Sequence, residues 1–128
     1  MKEDSFTITN TTKNTLPRVS FDDIKDKTLG KKYSLSLVFV GDKKSRKLNK
    51  TYRGKDKPTN ILSFNYDKSE GEIFINLRKA KSEAKLFDRK FDNFIAFLFI
   101  HGLLHLKGME HSSTMEKAEE KLRKQFRV

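Results

Sequence analysis

The 128-residue chain contains no cysteine. That excludes disulfide frameworks, thiolate metal sites and cysteine nucleophiles. With only two prolines and six glycines, a collagen-like or linker-rich chain is excluded as well. Long apolar runs are missing. The longest, Phe94–Ile100, is far too short to cross a bilayer. The opening stretch, Met1-Lys2-Glu3-Asp4-Ser5-Phe6, has no apolar segment of signal-peptide length. A soluble, cytoplasmic protein is the expectation from these absences.

Acidic residues are in the minority, with 17 Asp and Glu against 28 Lys and Arg and a net charge of +11. The excess is uneven. Residues 41–58 hold eight basic residues and two acidic ones, just before and up to Pro58. A basic surface attracts polyanions, and nucleic acid is the commonest of these. A charged face that only keeps the protein soluble produces the same composition. The length suits a single domain spanning 1–128, and 11 phenylalanines supply its core.

Patterning predicts alternating strands and helices. Phe6–Ile8 is short and alternating, a first strand. A helix is predicted over Phe21–Leu29, with Ser20 placed to cap it, Asp22 and Asp23 in its first turn and Gly30 to stop it. Tyr33–Val40 is the clearest strand, apolar on both parities and so suited to an inner position. Asp42–Tyr52 reads as a helix with Leu48 and Tyr52 on one face, and Gly54–Pro58 as a loop. Asn60–Tyr66 and Gly71–Leu77 read as a strand pair around a turn at 67–70. Arg78–Phe87 fits a polar helix. Phe91–Leu106 is apolar nearly all round and belongs in the middle of the fold, with Gly108 ending it. Thr114–Phe126 is a final amphipathic helix, capped by Ser113 or Thr114. The sum is an α+β fold: a small mixed β-sheet with helices packed on it and a central helix carrying the candidate site.

All three histidines fall in one 11-residue window, His101 to His111. His101 and His105 are four residues apart on the predicted central helix, so they stack on one face. Two imidazoles so placed can share one metal ion. Gly108 permits the reversal that brings His111 toward the same ion. Three imidazoles on a tetrahedral ion leave one position for water, the arrangement of catalytic zinc sites. Such an ion lowers the pKa of its water to about 7. Zinc, one ion per chain, is the expected cofactor, although imidazole suits other divalent transition metals too. The spacing HxxxHxxGxxH is similar to that of the metzincin metalloproteases, which place Glu after the first His. Here that position is Gly102, which argues against peptide hydrolysis and for another electrophile.

The window HGLLHLKGMEH resembles the metal motif of the YbeY family, H-G-x-L-H-L-x-G-x-D-H. A second stretch, LNKTYRGKDKPTNILSF over Leu48–Phe64, resembles that family's L-N-x-x-Y-R-x-K-D-x-P-T-D-V-L-S-F. Gly71-Glu72-Ile73 is similar to its G-D-I. Asn60, Glu72 and Glu110 stand where the family usually has Asp, and Phe94 lies near the place of an acidic residue. The resemblance implies a zinc-dependent endoribonuclease of ribosomal RNA maturation. It implies zinc ligation by His101, His105 and His111, with His101 and Arg53 as catalytic residues. It also implies the small ribosomal subunit as partner and a metalloprotease-like sheet with the metal-bearing helix in the core. Chemistry agrees: a guanidinium at Arg53 matches two phosphate oxygens, with Lys55 and Lys57 as RNA-binding neighbours. The runner-up is a ribosome-associated RNA-binding maturation factor with a structural zinc and little catalysis.

Overall fold

A computed structural model describes residues 6–108 and 113–128. The elements run β1 (Phe6–Asn10), α1 (Phe21–Leu29), β2 (Ser34–Val40), α2 (Asp42–Arg53), β3 (Ile61–Asp67), β4 (Glu70–Asn76), α3 (Leu77–Leu86), α4 (Phe91–Leu106) and α5 (Ser113–Phe126). The fold is α+β. Its sheet has four strands in the order β1-β2-β4-β3, with β1, β2 and β4 parallel and β3 antiparallel to β4. No helix among the described residues is long and apolar enough to cross a membrane.

Alternation sets the layers. Leu35, Leu37 and Phe39 of β2 and Ile73 and Ile75 of β4 are buried toward the helices. Ser36 and Val38, between them, are half-buried on the other face. Strand β2 is therefore inner, with both faces engaged, as its composition suggests. The β3–β4 turn is tighter than expected: Asp67 pairs with Glu70, and the Asp67 carboxylate accepts from the Ser69 amide at 2.7 Å.

Helix α4 has the predicted boundaries and ten buried residues, among them Phe99, Ile100 and Leu103 at zero exposure. It packs on α1, α3, α5, β3 and β4. Phe99 meets Phe21 of α1 edge-on at 5.0 Å and stacks with Phe6 of β1 at 6.1 Å. Gly108, at φ +95°, takes the left-handed backbone that ends the run.

The local details refine the expectations. Ser20 makes no capping hydrogen bond, because its ψ of 65° departs from the extended cap conformation. Ser113 and Thr114 are the first residues of α5. Helix α2 forms as expected with Leu48 and Tyr52 one turn apart, but Tyr52 is 65% exposed and the buried residues of the helix are Ser45 and Asn49. The helix is pinned by polar groups instead. Ser45 Oγ donates to the Thr59 carbonyl at 2.7 Å and accepts from the Thr59 amide at 2.9 Å. Asn49 Nδ2 donates to the Lys57 carbonyl at 2.8 Å.

Candidate metal centre and basic cleft

One turn of α4 separates His101 from His105. Their rings lie 4.6 Å apart at 80°, with the two Nε2 atoms 3.1 Å from each other. Two nitrogens bound to one tetrahedral zinc, each at about 2.0–2.1 Å, stand roughly 3.3 Å apart. The pair thus meets the donor spacing a single ion requires.

Glu119, from α5, fixes the first imidazole. Its Oε2 lies 2.8 Å from His101 Nδ1. A carboxylate only accepts, so Nδ1 donates to Glu119 and Nε2 faces His105. This is the carboxylate–histidine pairing that orients metal ligands. The two side chains are 25% and 16% exposed, so they are partly shielded yet reachable. Sequence reasoning missed Glu119, which lies 18 residues from His101. Its signal is positional: a carboxylate between Met115 and Leu122 on the buried stripe of α5.

His111 and Glu110 lie outside the described residues. No group of three His, Cys, Asp or Glu side chains able to hold a metal ion occurs among the described residues. Beside the pair, Phe97 lies 6.4 Å from the His101 ring, with the guanidinium carbons of Arg89 and Arg123 at 4.9 and 5.2 Å from the Phe97 centroid. Burial, with Arg123 close by, pushes the Arg89 pKa down.

Gly102 is a matter of space. A Cβ there would meet Ile61 Cδ1 at 2.9 Å, Ser63 Oγ at 3.0 Å and Ile73 Cδ1 at 3.2 Å. The position that carries the protease carboxylate in metzincins is here pressed against β3 and β4. Ser63 serves this contact.

Arg53 ends α2, and Gly54 follows in the left-handed conformation at φ +69°. Arg53, Lys55 and Lys57 are brought together: with Asn60, Lys79 and Glu83 they line a cavity of about 290 Å³. His101 and His105 do not line it. Tyr52 packs on Phe64 of β3 at 5.0 Å, whereas Ser63 abuts α4. Consecutive strand residues point to opposite faces, so α2 and the histidine pair flank β3 from opposite sides. The loop after Arg53 is clamped by Arg46, whose guanidinium donates to both Asp56 carboxylate oxygens at 2.7 and 3.2 Å. That hydrogen bonding holds the Asp56 pKa below the usual carboxylate range.

The departures from the family motif find places. Asn60 Nδ2 donates to Glu83 Oε1 at 2.8 Å, a bond an Asp carboxylate could not make. Glu72 accepts from Tyr66 at 2.6 Å and from Ser36 at 3.3 Å, on the sheet face away from α4. Phe94 is 4% exposed and stacks with Phe87 at 6.0 Å.

The sequence profile of the family described as Endoribonuclease YbeY matches residues 1–127. The chain belongs to the YbeY family. An Endoribonuclease YbeY from Neorickettsia sennetsu is 41% identical over 108 residues, 76% of each chain. One from the Aster yellows witches'-broom phytoplasma is 39% identical over 105 residues, 75% of this chain and 68% of the relative. In three dimensions, the solution structure of TM1509 from Thermotoga maritima aligns with TM-score 0.63 and 22% identity, covering 95% of this chain and 91% of that one. The YbeY membership and this shared fold agree with the α+β architecture described above.

Proposed function

We propose that this YbeY-family chain is a zinc-dependent, single-strand-specific endoribonuclease acting in ribosomal RNA processing. Its partners are ribosomal RNA and the small ribosomal subunit, and its compartment is the cytoplasm. The observation that carries the reading is the pair of Nε2 donors 3.1 Å apart, one of them oriented by Glu119. The endoribonuclease names of the relatives supply the substrate class.

His101, His105 and His111 would hold the ion. When bound, a zinc ion supplies Lewis acidity and makes a water nucleophilic near neutral pH. The chain's own residues do the rest. Glu119 keeps the His101 proton on Nδ1, so the Nε2 lone pair stays available. Arg53 binds phosphate and stabilises the charge that grows on it, with Lys55 and Lys57 holding the strand nearby. An RNA strand crossing the β3 edge meets Arg53 on one side and the histidine pair on the other. Gly102 keeps α4 close against β3 and β4, and no carboxylate stands at that position to act as a protease base.

The test is metal content and cleavage together. Native protein should bind one zinc per chain and cut single-stranded RNA. His101→Ala should lose both, and Arg53→Ala should keep the metal while losing most of the cleavage. Unchanged cleavage in both variants removes the assigned site.

A further inference from the structure

The cavity beside Arg53 continues. It shares Pro58 and Lys79 with a larger one, of about 1490 Å³, between α3 and residues 14–18. The cationic side chains of the combined trough come from three places, one of them Arg18 in the segment before α1. Arg53, Lys55 and Lys57 lie at one end, and Lys79, Lys81 and Lys85 run along α3. Lys81 and Lys85 are one turn apart, hence on one face of the helix.

Three carboxylates line the trough, Asp42, Glu83 and Asp92, and the first two are committed. Asp42 accepts from Asn76 at 2.9 Å and is ion-paired with Arg78. Glu83 accepts from Asn60 and lies 4.0 Å from Lys79. Among the described residues, Arg53, Lys55, Lys57, Lys81 and Lys85 have no carboxylate partner. The cations therefore set the field of the trough. Its wall also carries apolar side chains open to solvent, Leu16 at 40% and Leu86 at 77% exposure. A small anion needs neither the length nor these apolar surfaces. A single-stranded polynucleotide, with repeated phosphates and unstacked bases, uses both.

We propose that this trough is an extended track for single-stranded RNA, in which Lys81 and Lys85 of α3 bind backbone phosphates beyond those held at Arg53. The proposal deepens the endoribonuclease reading and rests on it. It adds residues outside both family-like motifs.

The experiment uses the full chain carrying His101→Ala, so that RNA is bound and not cut. Affinity for a single-stranded oligonucleotide of roughly twenty nucleotides is followed against salt. Each phosphate contact to a single strand contributes about 0.7 to the slope of log affinity on log salt. Lys81→Gln with Lys85→Gln should lower that slope by about 1.4 and weaken binding several-fold at low salt. The same two charges removed at Lys31 and Lys32, exposed residues on the α1–β2 turn away from the trough, should leave the slope unchanged. Equal slopes for the α3 variant and its parent overturn the track. So does an equal loss in the Lys31/Lys32 control, which would assign the effect to net charge. Displacement of the RNA by an acidic peptide of matched charge at matched concentration would assign the trough to a protein ligand and also overturn it. Absence of cleavage by the native chain, with the slope change intact, would count against the nuclease reading and leave the track standing.

Discussion

Adding one methyl group at Gly71 should damage this domain more than its modest size suggests. A Cβ at Gly71 would lie 2.2 Å from the Tyr33 hydroxyl, 2.9 Å from the Phe64 carbonyl oxygen and 3.2 Å from Leu106 Cδ2. The Phe64 carbonyl belongs to β3 and cannot retreat without disturbing the β3–β4 ladder. The Tyr33 hydroxyl is also engaged: it donates to Asn65 Oδ1 at 3.0 Å, and Asn65 Nδ2 donates to the Leu106 carbonyl at the end of α4. Overpacking costs about 1–3 kcal/mol. Losing the Tyr33–Asn65 bond adds about 0.5–1.5 kcal/mol. Gly71→Ala should therefore destabilise by roughly 2–4 kcal/mol, a fall in melting temperature of about 10 °C for a domain of this length. Tyr33→Phe alone loses only the hydrogen bond, about 1 kcal/mol. It also removes the atom that the new methyl meets first, so the double variant should be milder than the sum of the singles by about 1 kcal/mol or more. Urea unfolding of the four proteins, with constant m-values, measures the cycle. Additive costs would show that the hydroxyl is not the obstacle and that the reasoning from contact distances is wrong.

Asp42 gives a pH prediction. The hydrogen bond from Asn76, opposed in part by burial and reinforced by Arg78, holds its carboxyl below the usual carboxylate range. A depressed folded pKa contributes stability that is present above the unfolded pKa and lost as pH falls through the folded one. Asp42→Asn should thus be less stable than the native chain at neutral pH, with the gap closing below about pH 4 in urea midpoints taken across that range. Glu119→Gln replaces an anionic acceptor by a neutral one at His101 Nδ1; it should weaken zinc binding about 10- to 100-fold in chelator competition while leaving the circular dichroism spectrum unchanged.

The central helix was legible because its apolar run is continuous and bounded, and β2 because it alternates without interruption. The small mixed sheet follows from such patterns, but the strand order does not. In sequence β3 precedes β4, whereas in space β4 lies between β2 and β3. The choice rests on long-range pairing of Leu37 with Ile73 and Phe39 with Ile75, which no local pattern encodes. Helix α2 shows a different gap. Ser45 and Asn49 look like surface residues in the sequence, and only the distant carbonyls of Thr59 and Lys57 make them structural. At the candidate site the His101–His105 spacing is a helical fact and could be read directly. Glu119 could not, since it reaches the first imidazole only through the packing of α5 on α4. The cluster of Arg53, Lys55 and Lys57 was visible as a basic stretch, but its continuation along α3 exists only once the chain has folded.

Helix α4 touches both sheet and helices from the centre of the molecule, and the histidine pair is part of it. A ligand gripped by those two rings is gripped by the interior itself. Its binding free energy opposes the melting of the entire domain, by about 2.7 kcal/mol at a hundred-fold excess over the dissociation constant. Occupancy can then be followed with a thermometer: ion loss would soften the whole molecule together.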